Sequence, residues 1–114
     1  TGKLFSFCCV APAIIKKKDN QEIKFFENLG SKIGLLFQIA DDLIDFHGNS
    51  KSAGKQTGKD QKKGKATLIS LMGYTNAVKY CDRIIIDTNK TLKKYGSKSK
   101  NIKDTLEYIL KRDR

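Results

Sequence analysis

Ile33-Gly34-Leu35-Leu36-Phe37-Gln38-Ile39-Ala40-Asp41-Asp42-Leu43-Ile44-Asp45-Phe46 reads as the second half of a helix that starts near Gln21. Its apolar side chains, with Phe25, Phe26 and Leu29 upstream, fall on nearly every face. A helix apolar all round is normally surrounded by other helices. The remaining segments are too few to surround it, so further helices are expected outside these residues. Near its end the run carries Asp41, Asp42 and Asp45, with Gln38 three residues before the first of them. Residues three and four apart share a helix face, so these like charges repel one another unless a cation binds. A hard divalent ion such as Mg²⁺ suits them, because it takes carboxylate oxygens, keeps several waters and commonly shares its shell with substrate phosphates. Burying unpaired carboxylates costs on the order of several kcal/mol each, and a bound cation removes that cost. The plainer alternative is a solvated helix end whose acids pair with nearby lysines.

Other helices follow on either side. Residues 3–16 form an apolar helix through Leu4, Phe5, Phe7, Cys8, Ala11, Ile14 and Ile15, with a kink expected at Pro12 because it removes a backbone donor. Lys16 to Asn20 is a polar connection. His47 to Gly64 holds four glycines among polar residues and reads as a long loop, a kind of segment that is usually functional or disordered. Ala66–Met72 is a short helix closed by Gly73, Asn76–Tyr95 a longer one ending at Gly96, and Asn101–Leu110 a last one capped by Ser99 or Asn101. No strand alternation and no internal repeat occur, so the fold class is all-α.

The chain has 114 residues, 39% apolar and 31% charged, which is single-domain size and neither disordered by composition nor membrane-spanning. No apolar stretch approaches the roughly 20 residues that cross a bilayer. Thr1 opens the chain without a methionine or a leader, which suggests a cut inside a longer protein. Cys8, Cys9 and Cys81 are an odd set without zinc-site spacing, so buried free thiols and a cytoplasmic setting are expected. The net charge of +11 makes phosphate, nucleic acid or an anionic membrane surface plausible partners. Residues 48–65 hold six lysines and one aspartate, and residues 90–103 another six lysines. The second cluster reads as a solvated surface.

The first lysine cluster lies close behind the acids. Gly54-Lys55-Gln56-Thr57-Gly58-Lys59-Asp60 and Gly64-Lys65-Ala66-Thr67 combine backbone freedom with ammonium groups, which suits an anion, and the helix start after Gly64 adds N–H donors. It is not a P-loop, since Lys65 is followed by Ala66 and a helix, not a strand, precedes it. Taken by itself, the loop is equally a mobile solvated linker.

The combination Gly34-x-x-Phe37-Gln38-x-x-Asp41-Asp42-x-x-Asp45 with the Gly54-Lys55, Gly58-Lys59-Asp60 and Gly64-Lys65-Ala66-Thr67 segments closely resembles the second aspartate-rich region of the trans-prenyl diphosphate synthases. The bacterial farnesyl and geranylgeranyl diphosphate synthases are the nearest relatives it suggests. Thr1-Gly2-Lys3-Leu4 resembles the family's Lys-Thr-Gly segment without its lysine, and Tyr108-Ile109-Leu110-Lys111-Arg112-Asp113-Arg114 resembles its basic C-terminus. The resemblance implies an antiparallel helical bundle of the isoprenoid synthase type, with residues 1–114 as the C-terminal portion of one polyprenyl synthase domain.

It also implies a prenyltransferase of isoprenoid biosynthesis, in which an allylic diphosphate is ionised, the double bond of isopentenyl diphosphate attacks the cation, and a proton is lost. Three Mg²⁺ ions per site are implied, with Mn²⁺ an alternative. Asp41 would bind one ion directly, while Asp42 and Asp45 would act through metal-bound water or hold the other ligands in place. Lys55 and Lys65 match the lysines that contact the allylic diphosphate, and Arg112 and Arg114 would fold over isopentenyl diphosphate. Gln38 and Thr1 match positions whose oxygen dipoles line the carbocation path, and Phe37 would add an apolar face, although core packing explains that ring as well. A homodimer is implied too. The first aspartate-rich motif, its arginines and the lysine before Thr1 lie outside these residues, so the chain alone should not catalyse and needs the missing N-terminal half.

Two rival readings stand beside this one. A basic helical nucleic-acid-binding module would explain the charge, but a phosphate-tracking surface gains nothing from the three acids, and nucleic acid is not expected as a partner. An inactive structural or regulatory protein of the same fold is the other. Product length depends on bulk near the first motif and is not legible in these residues.

Overall fold

The computed structural model describes residues 1–51 and 68–112, with side chains at 1–46 and 69–112. Among these every element is helical: α1 Gly2–Ile15, α2 Asn20–Lys51, α3 Leu68–Met72, α4 Tyr74–Leu92, a 3₁₀ segment Lys93–Ser99 and α5 Lys100–Lys111. The expected all-α class is therefore what the chain adopts.

α2 is the axis of the molecule. At about 1.5 Å per residue its 32 residues span about 48 Å, most of the molecule's 53 Å length. Leu36, Ile39, Ala40 and Leu43 of α2 are fully buried, against Cys81, Thr88 and Leu92 of α4 and Leu106 of α5. Two aromatic contacts fix α4 antiparallel to α2. At one end the Phe46 and Tyr74 rings lie 5.5 Å apart. At the other, Phe25 and Phe26 pack on Tyr95 at 5.8 Å, and the Tyr95 hydroxyl donates to Glu22 at 3.1 Å.

α1 folds back along α2 as a helical hairpin. The Ser6 hydroxyl donates to the Glu27 carbonyl at 3.3 Å, and the backbones meet at two glycines. A Cβ on Gly30 would stand 2.5 Å from the Ser6 Cα, and one on Gly34 would stand 2.8 Å from the Gly2 Cα. Between the helices, Lys18 and Lys17 donate their backbone N–H to the Ala13 and Ile14 carbonyls, with Lys17 left-handed at φ 55°. That is the Schellman closure, made here without the usual glycine. The Asp19 carboxylate then accepts the Glu22 amide at 2.8 Å and caps α2.

Several expectations need correction. α2 does not stop at Phe46 but runs through Lys51, because once a helix is started each added residue gains a hydrogen bond; the rest of the expected loop lies outside the described residues. Pro12 lies inside α1, as expected, and the helix continues past it to Ile15. α4 begins directly after Gly73 and gives way to the 3₁₀ turn at Leu92, with Gly96 at φ 58° making the bend. Ser99 sits at the N-cap of α5, but its hydroxyl donates to the Gly96 carbonyl at 2.8 Å instead of accepting a helix amide. Of the three thiols expected to be buried only Cys81 is; Cys8 is exposed, and Cys9, one turn from Phe5 on α1, is half-buried against the core. Burial and the neighbouring Cys8 raise the Cys9 pKa.

Candidate functional site

The buried stripe of α2 leaves one strip outside. Leu35, Gln38, Asp41 and Asp45 are exposed along it, and Asp42 is half-buried beside them. The acids thus occupy the polar sector that their spacing predicts. Their three carboxylates do not converge on one point: no group of three or more His, Cys, Asp or Glu side chains that could hold a metal occurs among the described residues. Asp41 and Asp45, four apart, share a face. Mg²⁺ is usually held by one or two carboxylates with water and phosphate completing its octahedron, so this oxygen donor set fits such an ion.

Phe37, one turn before Asp41, shares its face. Its ring is half-buried and lies 5.4 Å from Phe5 of α1, so it serves both as packing between the helices and as part of the wall beside the acids. Thr1 is exposed at the N-cap of α1, its carbonyl accepting the Phe5 amide at 3.1 Å and its hydroxyl making no capping bond. It adjoins Gly2, which lies against Gly34, so the close approach at that glycine brings the start of α1 to the same region of α2 as Phe37 and Gln38.

Arg112 completes the cluster from the far end of the chain. Leu106, Ile109 and Leu110 are buried and hold α5 in the core. Just past that helix, Arg112 reaches Asp41 with its Nη2 at 3.2 Å from Oδ1. Its guanidinium carbon lies 4.3 Å over the Phe37 ring, within cation–π range. Its Nε is buried without an acceptor. Basic chain ends are often simply solvated, but this arginine is folded onto the strip.

The structure therefore places Thr1, Phe37, Gln38, Asp41, Asp45 and Arg112 along one side of the molecule, with Asp42 at its edge. Lys55, Lys65 and Arg114 lie outside the described residues. Sequence reading missed Gly30, whose missing side chain lets α1 approach; its spacing of four from Gly34 is the signal that could have shown it.

A family model described as polyprenyl synthetase matches residues 1–109. The chain belongs to the polyprenyl synthetase family. Within that family it is 30% identical to the farnesyl diphosphate synthase of Micrococcus luteus over 114 residues, all of this chain and 39% of that protein. It is 36% identical to the farnesyl diphosphate synthase of Bacillus subtilis over 77 residues, 68% of this chain and 26% of that one. With geranylgeranyl pyrophosphate synthase 7, chloroplastic, of Arabidopsis thaliana it shares 32% identity over 115 residues, 98% of this chain and 33% of the relative. The chain thus spans less than two fifths of the length of these polyprenyl synthetases.

Proposed function

We propose that the strip from Phe37 to Asp45 is one wall of a prenyl-transfer site, where an allylic diphosphate is ionised and condensed with isopentenyl diphosphate. The supporting observation is the juxtaposition of exposed Asp41 with the Phe37 ring and the start of α1, in a chain of the polyprenyl synthetase family.

Each residue has a part that its chemistry can perform. Asp41 and Asp45 offer hard oxygen ligands on one face, and Asp42, set deeper, is suited to hold that face in place. Divalent ions, when bound, neutralise the charge that builds up on a departing diphosphate. Gln38 and Thr1 can turn oxygen dipoles toward a developing carbocation without the charge that would let them capture it. Phe37 adds a π face and excludes water. Lys55 and Lys65 are proposed as point charges for the diphosphate and Arg112 and Arg114 as contacts for isopentenyl diphosphate. The wall is one side of a site, so turnover by this chain alone is not expected, and a homodimer is part of the same proposal.

Binding is the appropriate test. Isothermal titration with an allylic thiolodiphosphate, which does not ionise readily, should give heat only when Mg²⁺ is present, and Asp41→Ala should weaken binding at least tenfold. Binding that ignores Mg²⁺, or equal affinity in Asp41→Ala, counts against the reading.

A further inference from the structure

The contact between Arg112 and Asp41 bears on how the acid strip is used. We propose that Arg112 is the resident counter-ion of Asp41, and that the guanidinium and a divalent cation are alternative occupants of this carboxylate, so that binding the ion releases Arg112. The proposal rests on the reading of Asp41 as a metal ligand.

Four features of the contact support exchange over permanent pairing. It is a single N–H bond of 3.2 Å, whereas strong charge-assisted pairs of arginine with carboxylate lie at about 2.7–2.9 Å and are often bidentate. The parked position leaves Nε buried with no acceptor, a cost that release to water removes. The Asp41 side chain is 57% exposed, so an ion has open access to it, while that of Arg112 is 20% exposed. Arg112 also stands beyond the last residue of α5, in extended conformation at ψ 131°. Its side chain can therefore leave without unwinding the helix.

The Phe37 ring supplies the opposing hold. Cation–π attraction at 4.3 Å keeps the guanidinium over the ring when no stronger cation is present. Charge then decides the exchange. Arg112 brings a single positive charge to the Asp41 carboxylate, and a doubly charged ion gains more from that carboxylate than the guanidinium does. Metal binding and the position of the C-terminal arginine are in this way linked, each reducing the affinity of the site for the other.

The linkage is measurable on this chain with Mn²⁺ as the probe, by the EPR signal of the free ion. Arg112→Gln keeps much of the length and loses the charge, and it should bind Mn²⁺ about three- to tenfold more tightly than wild type, the size expected for a half-exposed ion pair with a ring contact. Equal or weaker binding in Arg112→Gln overturns the proposal. A second measurement needs no variant: the Arg112 Nε–H NMR resonance, shifted by the Phe37 ring, should move to the position of a free arginine on addition of Mg²⁺. A resonance that stays in place while the ion binds also overturns it. Failure of the underlying metal reading looks different, since Asp41→Ala would then bind Mn²⁺ as wild type does or neither would bind, and the proposal falls with it. When wild type binds through Asp41 and Arg112→Gln is unchanged, only the exchange is refuted.

Discussion

At the scale of single residues, long-range polar contacts fix the ends of the helices. Tyr95 joins the 3₁₀ turn to the first turn of α2 through its bond to Glu22, 73 positions earlier. Its pKa is raised by burial, then by the hydrogen bond to Glu22 and the charge of that carboxylate. The folded state therefore holds the phenolic proton more tightly than the unfolded state. The resulting stability is present below the unfolded value of about 10 and is lost as pH rises through the higher folded value. Urea melts of wild type and Tyr95→Phe should differ by about 0.5–1.5 kcal/mol near neutrality, and the difference should shrink above pH 10. A gap that is constant up to pH 11 would mean that the folded state does not hold the phenolic proton more tightly than the unfolded state does. Such contacts leave no local trace in a sequence. That Asp41 and its neighbours attract a cation is legible in their spacing, but the contact of Arg112 with Asp41 is not, because 71 positions separate the partners and their meeting depends on how α5 packs.

At the scale of elements, the α1–α2 hairpin depends on two backbone features. Gly30 leaves room for the Ser6 backbone, and any side chain there must push α1 away. Gly30→Ala should lower stability by about 1–3 kcal/mol in denaturant melts, although alanine is the better helix former by about 1 kcal/mol. A stabilised variant would show that the helices separate freely. Lys17 is the opposite case, a residue with a Cβ at a position that favours glycine. Lys17→Gly should raise stability by about 0.5–1 kcal/mol, less than the full left-handed penalty because glycine also gains freedom in the unfolded chain. An unchanged or lower midpoint would contradict the strain at this turn. Helix existence was legible here from apolar periodicity, since Leu36, Ile39 and Leu43 form the predicted core. Helix ends were less so: polar His47 to Lys51 look like loop, yet nothing in them stops a helix already 27 residues long at Phe46.

At the scale of the whole molecule, the apolar composition of α1 is only partly used. Leu4, Phe7, Ile14 and Ile15 are between 55% and 75% exposed, because among the described residues α1 packs chiefly on α2. The sequence marks these residues as apolar helix positions without telling which neighbour covers each. Contiguous exposed apolar surface binds hydrophobic dyes, so the chain should enhance anilinonaphthalene sulfonate fluorescence. Phe7→Gln with Ile15→Gln should cut that signal at least twofold while leaving the melting midpoint within about 2 °C, as expected for surface changes. Loss of the fold in that variant would mean that the face is internal. No helix of the described residues is long and apolar enough to cross a membrane, so this apolar surface is not a bilayer span of that kind.

The central claim, that the Asp41 strip holds a metal ion against a diphosphate, is tested most directly by a crystal grown with Mn²⁺ and an allylic thiolodiphosphate, with data collected at the manganese edge. The account predicts an anomalous peak bridging the Asp41 carboxylate and the diphosphate oxygens, with Arg112 withdrawn from Asp41. A diphosphate bound elsewhere, or Asp41 still paired with Arg112 and no manganese beside it, would contradict the claim.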